Sequence, residues 1–248
     1  MVIESVSNKN AQLIRRLSNR NGRVAEGLFV VEGINIIKDI PPSIKLHSLY
    51  IAQSKAEKYR KDTEKFACPV TVLSDRVFKA VSDTVTPSGI LALAPLPKAE
   101  PLESLGDRII VLDGIRDSGN VGTALRSAAA FGYRDVILID SADAYSGKTI
   151  RSSMGGVFRT RIFELSRERF VSEVIHPLWI LDMKGENLRN VTPLARYALA
   201  VGNEARGASN ELRAKAARSL SIGMKEGTES LNAAVSISIA MFLLGADC

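Results

Sequence analysis

The polar residues best placed to do chemistry fall in three stretches: "DGIRDSGNVGTALRSAAAFG" (113–132), "VGNEARGAS" (201–209) and "KEGTESLNAAVSISIAMFLL" (225–244). In the first, Gly114-x4-Gly119 looks like half of a phosphate loop. Asn120 stands where such a loop carries lysine, however, and no G-x-G-x-x-G is present, so both familiar nucleotide-binding loops are excluded. Asn120 is instead expected to cap a helix beginning near Val121, whose free N–H groups would favour an anion. On that helix Gly122, Thr123, Arg126, Ala129 and Ala130 cluster, which sets a guanidinium among small residues that a large partner can approach. In the second stretch two glycines flank a polar pair and let backbone come close to a ligand. The third sets Thr228, Glu229, Ser230 and Asn232 at the head of the most apolar helix in the chain. Leu231, Ala234, Val235, Ser238, Met241 and Phe242 form one stripe of it, and Ile237, Ala240 and Leu244 fall on other sides. A helix apolar nearly all round needs cover all round, and a second copy of the chain is a natural cover for the side a sheet leaves bare.

The elements that must position these stretches are strand-like runs: "RIIVLDG", "DVILID", "PLWILDM", "YALAVGN" and "LSIGM", alternating with helical segments. Runs apolar throughout and joined by helices predict a parallel sheet covered on both faces, with ligands at the carboxyl ends of its strands. Upstream, "APLPKAEPLESLGD" reads as a linker. Before it, "SNKNAQLIRRLSNR" predicts a helix followed by a loop. "GLFVVEG", "LHSLYIA", "PVTVLS" and "GILALAP" predict strands, with helices over 34–39, 55–65 and 75–82. The organisation is therefore a small α/β domain over 1–94, a linker over 95–107 and a larger α/β domain over 108–248.

Net charge is +6, and residues 1–94 carry 14 Lys and Arg against 9 Asp and Glu. A basic face there could meet phosphate, and Lys9, Arg15, Arg16, Arg20 and Arg23 are the candidates. The longest apolar run is too short to span a bilayer, and no secretory leader is legible, so a soluble, cytoplasmic protein is expected. Cys68 and Cys248 lack metal-ligand spacing and read as incidental thiols. His47 and His176 stand outside the three stretches and are expected to serve packing.

Taken together, "DSGNVGTALRSAAAFG", "LAVGNEARGAS" and "LSIGMKEGTESLNAAVSISIAMFL" resemble the three signature motifs of the SpoU (TrmH-type) 2′-O-ribose RNA methyltransferases of the SPOUT superfamily. The N-terminal domain resembles their small substrate-binding domain, similar to ribosomal protein L30e. The resemblance implies S-adenosylmethionine as cofactor, no metal, a deep trefoil knot and a homodimer with the site at the subunit interface. Its RNA substrate would be ribosomal, with transfer RNA or a non-catalytic RNA-binding dimer as alternatives. It assigns catalysis to Asn120, Arg126, Glu204, Ser230 and Asn232, and cofactor binding to Val201, Gly202, Asn203, Gly207, Ile222, Met224, Ser230 and Leu231. Ser118 stands where the family often has proline. Because a guanidinium remains protonated, Arg126 is expected to hold the target phosphate and favour ionisation of the 2′-hydroxyl, with the proton passing to water, phosphate or a polar neighbour.

Overall fold

A computed structural model describes residues 2–225, 227 and 230–245 and divides them into two units. Thr228, Glu229 and Cys248, singled out above, lie outside the described residues.

The first unit comprises the chain up to Lys98 together with Tyr145–Arg151. Its sheet contains β1 (Val2–Ile3), β2 (Leu28–Glu32), β3 (Ser48–Ala52), β4 (Val70–Leu73) and β5 (Ile90–Pro95), in the order β1-β4-β3-β5-β2. β1, β4 and β3 run parallel, whereas β5 is antiparallel to β3 and β2 to β5. The helices are α1 (Lys9–Arg16), α2 (Arg20–Glu26), α3 (Ile34–Lys38), α4 (Ala56–Thr63) and α5 (Asp75–Val81). Ile14 and Leu17 join Tyr50, Phe78 and Leu91 in one core.

The stretch expected to be one helix and a loop is two helices. Asn19 accepts a hydrogen bond from Gly22 N and so starts α2; a Cβ on Gly22 would collide with the Arg16 carbonyl. This turn also corrects the assignment of Arg23. It is 4% exposed, and its Nη1 donates to the Leu17 carbonyl at 2.8 Å, satisfying an acceptor just past the end of α1. Arg23 is therefore no candidate for holding phosphate. Lys9, Arg15, Arg16 and Arg20 are exposed, and Arg16 pairs with Glu26 at 2.8 Å.

The second unit, Ala99–Ala144 with the chain from Ser152 on, is built on a six-stranded, fully parallel sheet. Its strands are β6 (Arg108–Asp113), β7 (Asp135–Ile139), β8 (Arg161–Leu165), β9 (Leu178–Asn187), β10 (Tyr197–Gly202) and β11 (Arg218–Ser221), ordered β11-β9-β10-β6-β7-β8. The connecting helices are α6 (Ser118–Ala130), α7 (Gly147–Ser153, which crosses the division between units), α8 (Arg167–Glu173), α9 (Asn210–Lys215) and α10 (Ala233–Leu244). β8 was not expected: Arg161 and Glu164 interrupt the apolar run of this edge strand. Arg161 has a structural task. Its guanidinium grips buried Asp135 at 2.6 and 2.7 Å, Glu100 at 2.7 Å and the Ser104 carbonyl at 2.8 Å. Much of the expected linker is thus fastened to the second unit, and Asp135 also accepts from Gly106 N at 2.6 Å.

His176 is buried against the same segment. Its Nε2 lies 2.8 Å from the Gly106 carbonyl, which can only accept, so Nε2 carries the proton; Nδ1 is buried without a partner among the described residues. Burial depresses its pKa below the usual histidine value. A base depressed in the folded state stabilises fully above its unfolded pKa of about 6.5 and loses that contribution as pH falls through the folded value. Thermal unfolding between pH 8 and 5.5 should show a fall in midpoint that His176→Gln makes shallower.

α10, apolar nearly all round, turns one side to the core and leaves another exposed. Ala233, Ala234, Ile237, Ala240, Met241 and Leu244 are buried, whereas Val235 is 44% and Phe242 60% exposed. Ser238 lies at the junction with α6, its Oγ 2.6 Å from Ser127 Oγ. Among the described residues no helix is long and apolar enough to cross a membrane.

Candidate functional site

β10 ends at Gly202, and the chain then folds back so tightly that Gly207 N donates to the Asn203 carbonyl at 2.7 Å. Two glycines make the turn possible. Gly202 has backbone of Gly207 and Ala208 where a Cβ would stand, and Gly207 adopts φ +70°, with Arg213 Nη2 2.6 Å from where its Cβ would be. Arg213 braces the loop, donating from Nε to the Ala208 carbonyl at 2.9 Å and pairing with Asp182. The Asp182 carboxyl is held below the usual carboxylate range by the Lys184 amide and then by Arg213.

Beside this loop lies a cavity of about 450 Å3, within the range of small-molecule sites. Val201, Gly202, Asn203, Gly207, Ile222, Met224, Ser230 and Leu231, drawn from two stretches of sequence, all line it, and so does Glu204. The sequence reading missed Leu181–Lys184 and Arg213. Leu181–Lys184 follow the buried start of β9, a location that the rule of ligands at the carboxyl side of a parallel sheet could have flagged. Arg213 carries no comparable signal.

A hydrogen-bonded row joins all three stretches. Asn232 Nδ2 donates to Asn120 Oδ1 at 3.0 Å, and Asn120 Nδ2 donates to Glu204 Oε1 at 2.6 Å. Asn232 is fixed because its Oδ1 caps α10, accepting from Ala234 N and Val235 N at 2.9 and 3.2 Å. Asn120, by contrast, is not the cap of α6. The helix begins at Ser118, and Asp117 accepts from Asn120 N at 3.0 Å, which leaves the Asn120 amide for the row. Arg126 lies elsewhere on α6, exposed, and does not line the cavity. Its backbone abuts Gly156, where a Cβ would stand 2.8 Å from Arg126 Cα.

A model of the SpoU rRNA methylase family matches residues 107–242, more than half of the sequence. The chain belongs to that family. A second model, an MRM3-like substrate binding domain, matches residues 8–92. Among relatives of this SpoU-family chain is a 23S rRNA (guanosine(2553)-2′-O)-methyltransferase of Bacillus subtilis, 28% identical with 98% of each chain covered. A 23S rRNA (adenosine(1067)-2′-O)-methyltransferase of Streptomyces laurentii is 30% identical with 83% of each covered. The solved structure of an RNA 2′-O ribose methyltransferase superposes with a TM-score of 0.83 at 27% identity, covering 98% of this chain and 97% of that one. In this SpoU-family chain Arg161 is engaged as described, Arg151 lies 3.6 Å from Asp83, and Arg159 is exposed.

Proposed function

We propose that this chain transfers a methyl group from S-adenosylmethionine to a ribose 2′-hydroxyl of ribosomal RNA. The observation that carries the reading is the convergence of the stretches: two line one cavity, and the Asn120–Glu204–Asn232 row ties in the third. The cavity's donor set fits the cofactor. Leu181, Val201, Leu220, Ile222 and Leu231 offer apolar walls for a purine, the glycine turn exposes backbone groups, and Glu204 supplies a carboxylate besides the Asp182–Arg213 pair. When bound, the cofactor supplies an electrophilic methyl on a sulfonium centre.

The chain's residues then have separable tasks. Asn120, held between Asn232 and Glu204, keeps one orientation and can align the hydroxyl. Ser230, exposed at the rim, can position the reactants. Arg126, a permanent cation, steadies the target phosphate and the developing oxyanion, and the proton leaves to water, phosphate or a polar neighbour. Since Arg126 does not line its own chain's cavity, we take the site to be completed by a second copy. The exposed side of α10 supports this: Val235 and Phe242 fall on one stripe with Ile239 between them, beside Leu243. A deep trefoil knot around the cofactor loops is proposed on the family match. Light scattering at micromolar concentration should return twice the chain mass, and Phe242→Glu should reduce it to one chain; a wild-type monomer would refute the shared site.

The first unit is assigned to holding RNA, on its charge and on its match to a substrate-binding domain. Neutralising Arg15 and Arg16 together should weaken RNA binding and flatten its log–log salt slope by about 0.7–0.9 for each phosphate no longer neutralised, with cofactor affinity unchanged. Unaltered affinity and slope in a salt titration would remove α1 from the RNA path. Ribosomal over transfer RNA is favoured by the names of the two relatives above. The decisive experiment maps ribose methylation in total RNA from cells with and without the protein; no ribosomal site lost would refute the assignment.

A further inference from the structure

The loops leaving β6 and β10 enclose a second cavity, of about 650 Å3, which shares residues of the 203–207 loop with the first. It occupies the point where the strand order reverses. From β6 the chain runs outward to β7 and then β8, while from its neighbour β10 it goes the other way, beyond β9 to β11. Connections that diverge from adjacent parallel strands leave a crevice at their carboxyl ends, and such crevices hold ligands.

The charges of this crevice are unevenly satisfied. Asp113 is buried and fully engaged, accepting from Ser209 N at 2.7 Å and from Arg167 Nε at 3.1 Å. Arg167 in turn pairs with Asp140, and Glu211 is a further negative charge acting on it. Arg116 and Arg206 are exposed and have no hydrogen-bond or ion-pair partner among the described residues, and Ser209 Oγ is buried without one. Two uncommitted guanidiniums and a spare hydroxyl donor, in a crevice whose buried carboxylate Asp113 is paired with Arg167 and whose other carboxylate, Glu211, is exposed, suit a phosphate dianion or diester.

We propose that this crevice holds a backbone phosphate of the RNA strand close to the nucleotide being methylated, between Arg116 and Arg206. The inference rests on the RNA methyltransferase reading and adds to it a specific subsite in the catalytic unit, separate from the basic surface of the first unit.

Arg116 is the informative position because it lines the second cavity and not the first. With the full chain and a ribosomal RNA fragment that the wild type methylates, Arg116→Gln should raise the Kd for RNA by about threefold to tenfold and reduce the salt slope by about 0.7–0.9. S-adenosylmethionine affinity should remain within about twofold. Arg116→Lys should recover the slope but only part of the affinity, since it keeps the charge and loses the fork. RNA affinity and slope unchanged in Arg116→Gln would overturn the subsite. Saturation by submillimolar inorganic phosphate at constant ionic strength, with RNA binding indifferent to Arg116, would also overturn it, by making the ligand a free anion. A wild type that binds and methylates no RNA would instead count against the underlying enzyme assignment.

Discussion

Arg126→Ala is expected to lower methyl transfer at least about 100-fold, the order seen when a donor to developing charge is removed, while the fold and cofactor affinity stay near wild type. The asymmetry follows from where the residue sits. Its side chain is exposed and outside the cavity, so its removal sacrifices little burial, and surface truncations of this kind change stability by about 0.5 kcal/mol or less. Its backbone, in contrast, is held against Gly156, so α6 keeps its place when the side chain is cut. Single-turnover methylation at saturating RNA, alongside calorimetry with the cofactor, separates the two effects. Arg126→Lys refines the test, because lysine retains the charge without the planar fork. Turnover within threefold of wild type in the alanine variant would displace Arg126 from the reaction.

The second large effect is expected at Gly202, for the opposite reason. Here a single methyl group must fit against backbone atoms of Gly207 and Ala208, and backbone in a turn braced by Arg213 cannot step aside as a flexible side chain would. Gly202→Ala should therefore cost about 1–3 kcal/mol of stability as overpacking does. It should also push the 203–207 wall out of position, raising the Kd for S-adenosylmethionine at least about 30-fold, or roughly 2 kcal/mol. Calorimetry and thermal unfolding of the one variant read both consequences. Binding within a few-fold of wild type would mean that this loop does not form the cofactor wall.

What could be read from the sequence divides along physical lines. The buried strands of the second unit were legible because they are apolar throughout, and the glycine turn after β10 because only glycine tolerates such an approach. β8 was hidden by Arg161 and Glu164; the Arg161 charge belongs to a clamp on a distant segment rather than to the strand's own periodicity. The break between α1 and α2 depends on one Asn cap and one glycine, a signal too short to outweigh the surrounding helical pattern. Arg23 counted as a surface cation until the carbonyl it serves was known. In α10 nearly every position is apolar, so its own sequence does not choose the face that meets the core; contacts such as Ser127 with Ser238 and the Tyr133 hydroxyl, 3.5 Å from the Met241 carbonyl, accompany the choice. Asp117 and Asn120 are both able to cap; the structure gives the cap to Asp117.

The row from Asn232 through Asn120 to Glu204 spans 112 residues of chain between its first two members. A polypeptide is made from its amino end at about 5–20 residues per second, so Asn120 leaves the ribosome roughly 6–20 s before Asn232 can reach it. Until α10 has been synthesised and docked, Asn120 lacks one of its two anchors and the cavity lacks Ser230, Leu231 and Ala233. A nascent chain in which α10 has not yet been made and docked thus carries an incomplete pocket, so binding competence depends on a helix synthesised more than a hundred residues after Asn120.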